Sequence, residues 1–223
     1  MSPAAEMEAH KRRRLRPQFV LLCVLAALIA ANGVLLVLRL AGGAGAEAAG
    51  VPVPDYVTED LLPRNRYSRP GSTLRNIKGV VIHYVGNPGT SAQANRNYFA
   101  SLALGRDKTY ASSHFIVGLE GEVVQCIPLT EIAYASNDRN GDTVAVEVCH
   151  SDETGVFSPV TYARTVELTA WLCRQFDLDP AEDVIRHYDV TGKRCPLYYV
   201  EQPQAWDAFR ADVAASVAAQ EEQ

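Results

Sequence analysis

Imidazole and thiolate groups close together in sequence are the first chemistry this chain offers. His187 and Cys195 bracket the segment HYDVTGKRCP, with seven residues between them. A neutral imidazole and a thiolate are both good zinc ligands. The same spacing also occurs without metal, when the ring is hydrogen-bonded and the thiol is simply buried. His83 adds a third donor. It interrupts the apolar run GVVIHYV, Gly79–Val85, near its C-terminal end, where open α/β sheets tend to place ligand sites. In a strand it would share a face with Val81 and Val85; the alternative is a strand-end histidine bonded to a carbonyl. One ligand from a strand and two from a distant segment would leave the fourth tetrahedral position open. That is the pattern of a catalytic zinc rather than a closed structural one.

Glu147 is the next anomaly. In TVAVEVC, Thr143–Cys149, the valines at 144, 146 and 148 form one apolar face, and Glu147 lies on the other with Ala145 and Cys149. A carboxylate within such a strand is costly unless it is paired, hydrated or near a metal. Read as chemistry, it is a general base that takes a proton from an activated water and later gives it to a leaving amine. Read as structure, it marks a strand with one face in water. Lys193, between His187 and Cys195, could stabilise the oxyanion of a tetrahedral intermediate, or be a solvated loop lysine.

Strands and helices must hold these groups in place, and the pattern supplies them in alternation. Gly79–Val85 reads as an apolar strand. Thr90–Leu104 reads as a helix capped by Thr90 or Ser91 and stopped by Gly105. His114–Gln125 is a hairpin turning at Glu120-Gly121, and Thr143–Cys149 a strand. Ser158-Pro159 opens a helix to Phe176 with Tyr162, Val166, Thr169, Ala170 and Cys173 on one face. Pro203 opens a last helix whose buried stripe is Trp206, Phe209, Val213 and Val217. The interleaving predicts an α/β domain, a sheet covered by helices. HYDVTGKRCP is expected to be a tight polar loop.

The 223 residues suit one domain, and 48% hydrophobic with 21% charged residues is an ordinary globular mix. Five Cys are too few for a disulfide scaffold. With Cys195 assigned to metal, Cys126, Cys149 and Cys173 are an odd set; a Cys149–Cys173 or Cys126–Cys149 bridge and buried thiols all remain open. The net charge of −5 is uneven. Residues 1–40 hold six Lys/Arg and two Asp/Glu, leaving 15 against 24 for the rest. So acidic a body argues against nucleic acid as a partner.

Phe19–Leu38 is twenty residues without a charge, long enough to span a hydrocarbon core of about 30 Å. Lys11, Arg12, Arg13, Arg14 and Arg16 precede it and only Arg39 follows, so the N-terminus should stay inside and the body be exported. The expectation is a single-pass membrane protein with an extracytoplasmic body. The alternative is a secreted one cleaved near Ala44-Gly45-Ala46. The expected organisation is a basic tail at 1–18, a transmembrane anchor at 19–38, a linker at 39–70, a catalytic domain at 71–218 and a tail at 219–223.

Four segments in order, VVIHYVGNPGTSAQANRNYF, ASSHFIVGLEGEVVQCIP, DTVAVEVCH and VIRHYDVTGKRCP, resemble the zinc-dependent N-acetylmuramoyl-L-alanine amidases. That family includes phage lysozyme-type amidases and peptidoglycan recognition proteins, and the resemblance covers about residues 75–215. It implies a mixed central β-sheet flanked by helices, Zn2+ held by His83, His187 and Cys195, and catalytic roles for Glu147 and Lys193. The implied substrate is peptidoglycan, cut between N-acetylmuramic acid and L-alanine; the chain is expected to be a monomer. Ser113 stands where some members carry a catalytic Tyr, which leaves the base to Glu147, with Ser113 and His114 lining the groove or supporting the hairpin. Ala133–Asn137 also departs from many relatives, which have an aromatic residue followed by His there. Asp189 is a candidate partner for a ligand histidine. Asn87, Asn95, Asn97 and Tyr98 are candidate substrate contacts. Two other readings compete: a zinc-containing peptidoglycan-binding module without catalysis, and a Cys-His peptidase using Cys195 and His187.

Overall fold

The computed structural model describes residues 51–221. The basic tail and the apolar segment expected to cross a membrane lie outside them. Among the described residues no helix is long and apolar enough to span a bilayer.

The strands are β1 Val57–Glu59, β2 Val80–Tyr84, β3 Phe115–Val117, β4 Val123–Gln125, β5 Val144–Val148 and β6 Val184–Arg186. They form one sheet in the order β1-β4-β3-β5-β2-β6. Only the β3–β4 hairpin is antiparallel; the other neighbours run parallel, so the sheet is mixed, as expected. The helices are α1 Ala92–Ser101, α2 Pro159–Phe176, α3 His187–Thr191, α4 Leu197–Glu201 and α5 Pro203–Glu221.

Alternation within the strands makes two cores. Val80, Ile82, Val144, Val146 and Val148 face α2, α4 and α5, where Leu168, Leu172, Tyr199, Trp206 and Phe209 meet them. Val85, Ile116, Val124 and Cys149 face α1, against Ala92 and Phe99. The sheet is therefore covered on both sides. The cap signals in the sequence hold: Ser91 Oγ accepts from Ala94 N–H at the start of α1, and Ser158 Oγ from Thr161 N–H at the start of α2. Gly105 ends the first helical stretch at φ 63°, a left-handed conformation suited to glycine.

Three expectations need correction. The linker at 39–70 ends early: from residue 51 the chain belongs to the body, with β1 paired to β4 and Leu62 fully buried. Three-residue strands such as β1 and β6 are too short to show a period. HYDVTGKRCP is not all loop; it opens with α3, and α4 follows Pro196. The buried face of α2 is wider than one stripe. Thr165, Leu168, Trp171 and Leu172 are also buried, because α2 lies between the sheet and α5.

Cys126, Cys149, Cys173 and Cys195 are all free and buried. Cys149 and Cys173 lie in different cores, so the sheet separates them. Cys126 shares a core with Cys149 but is not bonded to it.

A buried carboxylate ties the N-terminal segment down. Glu131 accepts hydrogen bonds from Arg69 Nε at 2.8 Å and Nη2 at 3.0 Å, and from Arg64 Nη2 at 2.8 Å. Arg69 Nη1 also reaches Leu62 O at 2.6 Å. The Arg69 hydrogen bond, helped by Arg64 and opposed by burial, holds the Glu131 carboxyl at about 2. A depressed carboxyl adds stability above its ordinary value of 4.5 and loses it as pH falls toward 2. At pH 7 Glu131→Gln is expected to cost about 2–3 kcal/mol, the linkage value trimmed because Arg64 is exposed. Urea unfolding followed by Trp171 and Trp206 fluorescence should show that gap closing between pH 4.5 and 2. A gap independent of pH would mean that packing, not charge, makes the contact.

Candidate active site

The parallel register acts as a ruler. In the β2–β5 pair His83 stands opposite Glu147, and side chains level on adjacent strands share a face. In the β2–β6 pair Ile82 stands opposite Arg186, so His187, the next residue, comes level with His83. The two imidazole centroids are 4.6 Å apart, close to the strand spacing of about 4.8 Å. Glu147, His83 and His187 thus line up across three neighbouring strands at their C-terminal ends.

Cys195 joins them from the segment after α3. Gly192 ends that helix at φ 75°, and Tyr188 N–H donates to Cys195 O at 2.9 Å. The chain is thereby turned back on itself. Cys195 Sγ lies 3.9 Å from His83 Nδ1 and accepts a hydrogen bond from the Tyr84 backbone. One donor atom from each of His83, His187 and Cys195 fits within a 4.8 Å span, and all three residues are buried. A tetrahedral zinc with these ligands has donor–donor edges of about 3.4–3.6 Å. His187 Nδ1 is buried with no hydrogen-bond partner, the state of an imidazole nitrogen awaiting a ligand. The residues therefore fit a zinc ion.

The electrostatics agree. Burial, with the His187 and Lys193 charges, lowers the His83 pKa well below its ordinary value; burial and Lys193 lower that of His187. Both effects favour the neutral ring that binds metal. Glu147 is half-buried, and its Oε2 is shielded and unpartnered. Burial raises its carboxyl to about 8, with the Lys193 charge acting in the opposite direction. Lys193 is exposed at the rim, and its charge is felt by Glu147, both histidines and Cys195.

The other two described histidines stay out of this set. His114 accepts from Ala145 N–H through Nδ1 at 3.0 Å and donates from Nε2 to Glu131 O at 2.9 Å. Burial lowers its pKa to about 4, and it supports the hairpin. Ser113 is buried and donates to Phe115 O, so it does not line a groove. His150 Nε2 meets Val85 O at 2.8 Å and Nδ1 meets Asp152 O at 2.7 Å, tying two loops together.

Asp189 does not support a histidine. Its oxygens are taken by the Arg186 backbone N–H and guanidinium, closing the first turn of α3. Asn95 is buried and donates to Thr90 and Ser91; Asn87, Asn97 and Tyr98 are exposed. The sequence reading missed Ser136 and Asn137. Ser136 Oγ lies 3.2 Å from His83 Nε2, and Asn137 Oδ1 lies 3.2 Å from His187 Nε2. The only signal was the departure at Ala133–Asn137, taken there as a matter of substrate contact.

Comparison with known proteins follows the same line. Over 180 residues the chain is 34% identical to the N-acetylmuramoyl-L-alanine amidase BlyA of Bacillus subtilis strain 168, covering 72% of this chain and 47% of that one. It is 37% identical over 169 residues to a probable N-acetylmuramoyl-L-alanine amidase of Bacillus licheniformis, covering 70% and 47%. The chain spans about half the length of these curated relatives. The solved catalytic domain of XlyA superposes with a TM-score of 0.58 at 25% identity, over 70% of this chain and 98% of that one. Residues 73–197, more than half of the chain, match the family described as N-acetylmuramoyl-L-alanine amidase, and that stretch contains every residue of the site built above. Sheet, site and sequence agree, and the chain belongs to the N-acetylmuramoyl-L-alanine amidase family.

Proposed function

We propose that the chain is a zinc-dependent amidase cutting peptidoglycan between N-acetylmuramic acid and the L-alanine that begins the stem peptide. The observation that carries this reading is the convergence of His83, His187 and Cys195 within 4.8 Å, with Glu147 level with His83 on the next strand. A zinc ion held by those three residues would polarise the scissile carbonyl and an attacking water. Glu147 takes the water proton and returns it to the departing alanine amine, a task suited to a carboxyl that burial holds at about 8. Lys193 offers its ammonium to the carbonyl oxygen as negative charge grows there. Cys195 is buried beside the histidines, with its thiol pushed up to about 12 by burial and the Glu147 charge. That setting argues against a free thiolate nucleophile, whereas the thiol would be deprotonated by a bound zinc.

The basic residues before Phe19–Leu38 support an outward-facing body tethered to the membrane, with the protein's own wall as substrate. The full chain in detergent, given purified cell wall, is expected to release peptides that begin with a free L-alanine and to leave the glycan strands whole. Mass analysis of the products reads this directly. Wall binding without release of peptides would replace the amidase by a recognition module.

A further inference from the structure

We infer that Ser136 and Asn137 are paired positioning residues that aim both metal histidines, an inference that rests on the zinc reading above. His83 Nε2 lies 3.2 Å from Ser136 Oγ, and His187 Nε2 lies 3.2 Å from Asn137 Oδ1. An amide oxygen can only accept, so His187 carries its proton on Nε2 and leaves the Nδ1 lone pair bare. That Nδ1 is the buried nitrogen without a partner. On His83 the Ser136 hydroxyl engages Nε2; a hydroxyl can accept as well as donate, and in accepting it leaves the Nδ1 lone pair, 3.9 Å from Cys195 Sγ, free for a metal. With Ser136 accepting, two consecutive residues engage Nε2 of both rings and leave Nδ1 free on each.

The local backbone allows this. Asn137 sits at φ 51°, a left-handed conformation that Asn tolerates better than most residues, and the kink lets neighbouring side chains reach different rings. Asn140 Oδ1 holds the turn from behind, accepting from Ala135 N–H at 3.0 Å and Ser136 N–H at 2.6 Å. Ser136 is almost fully buried, so water does not compete for its hydroxyl.

The test uses the full chain and two readouts besides turnover: zinc affinity by competition with a chromophoric chelator, and the visible spectrum of the cobalt-substituted protein. Asn137→Gly removes the amide and suits the left-handed backbone, so strain does not enter the comparison. Ser136→Ala removes the hydroxyl. Each is expected to weaken zinc binding roughly 10- to 100-fold and to change the cobalt bands. Asn137→Asp and Ser136→Thr keep an acceptor and should restore both readouts. Should Ser136→Ala fail to fold, the Asn137→Gly and Asn137→Asp pair decides alone. Wild-type affinity and spectrum in Asn137→Gly would overturn the positioning role and leave the zinc reading intact. A wild-type chain that binds no zinc would overturn both.

Discussion

Glu147→Gln is expected to keep zinc and lose turnover by about 10²- to 10⁴-fold, the range for removal of a general acid–base. Glutamine has nearly the same shape, so the strand and its register with His83 should survive. It cannot accept the water proton, so both halves of the proposed proton transfer fail together. The fold itself should not suffer. Glu147 Oε2 is a shielded oxygen without a partner, and a carboxyl that burial holds at about 8 must take up a proton on folding near neutral pH, which costs stability. Exchange for a neutral amide is therefore expected to raise the unfolding free energy, by about 1 kcal/mol. Activity would fall while stability rises, the trade expected of a residue kept for chemistry. Zinc content, peptide release and urea midpoint measure the three parts. Wild-type turnover in this variant would remove Glu147 from the mechanism.

Cys195→Ala is expected to have the other large effect. It deletes one of three donors, and the Lewis-acid contribution of a catalytic metal is several kcal/mol, about 10³-fold in rate. Zinc per chain should fall from about one toward zero after dialysis. The fold is expected to remain, since the Cys195 side chain is small and α3 is closed by Arg186–Asp189 and Gly192. A chelator should reproduce the loss in the wild type, and added zinc should reverse it. If the wild type resisted chelation yet was silenced by thiol alkylation, Cys195 would instead be a nucleophile.

The elements that surround the site were legible because they are long enough to show a period. Ile82, Val146 and Ala170 fall in β2, β5 and α2, where the apolar pattern and the caps expected them. The site residues were legible as misfits: His83 and Glu147 are polar groups in apolar runs, and His187 and Cys195 bracket a short polar segment. What stayed hidden was short or non-local. β1 and β6 are three residues each and gain their place only by pairing with β4 and β2. Asp189 looked like a partner for His187 from its nearness in sequence, yet Arg186 satisfies it.

The sequence by itself determined which side chains could bind a metal or move a proton, because those capacities belong to single residues. Only the tertiary structure decided that they lie at one place. Parallel pairing sets β5, β2 and β6 at one level, and a turn from a remote loop brings Ser136 and Asn137 to the two rings. Sequence pattern carries the period of an element but not the register between elements. That register is fixed only when apolar side chains from distant segments pack into a common core.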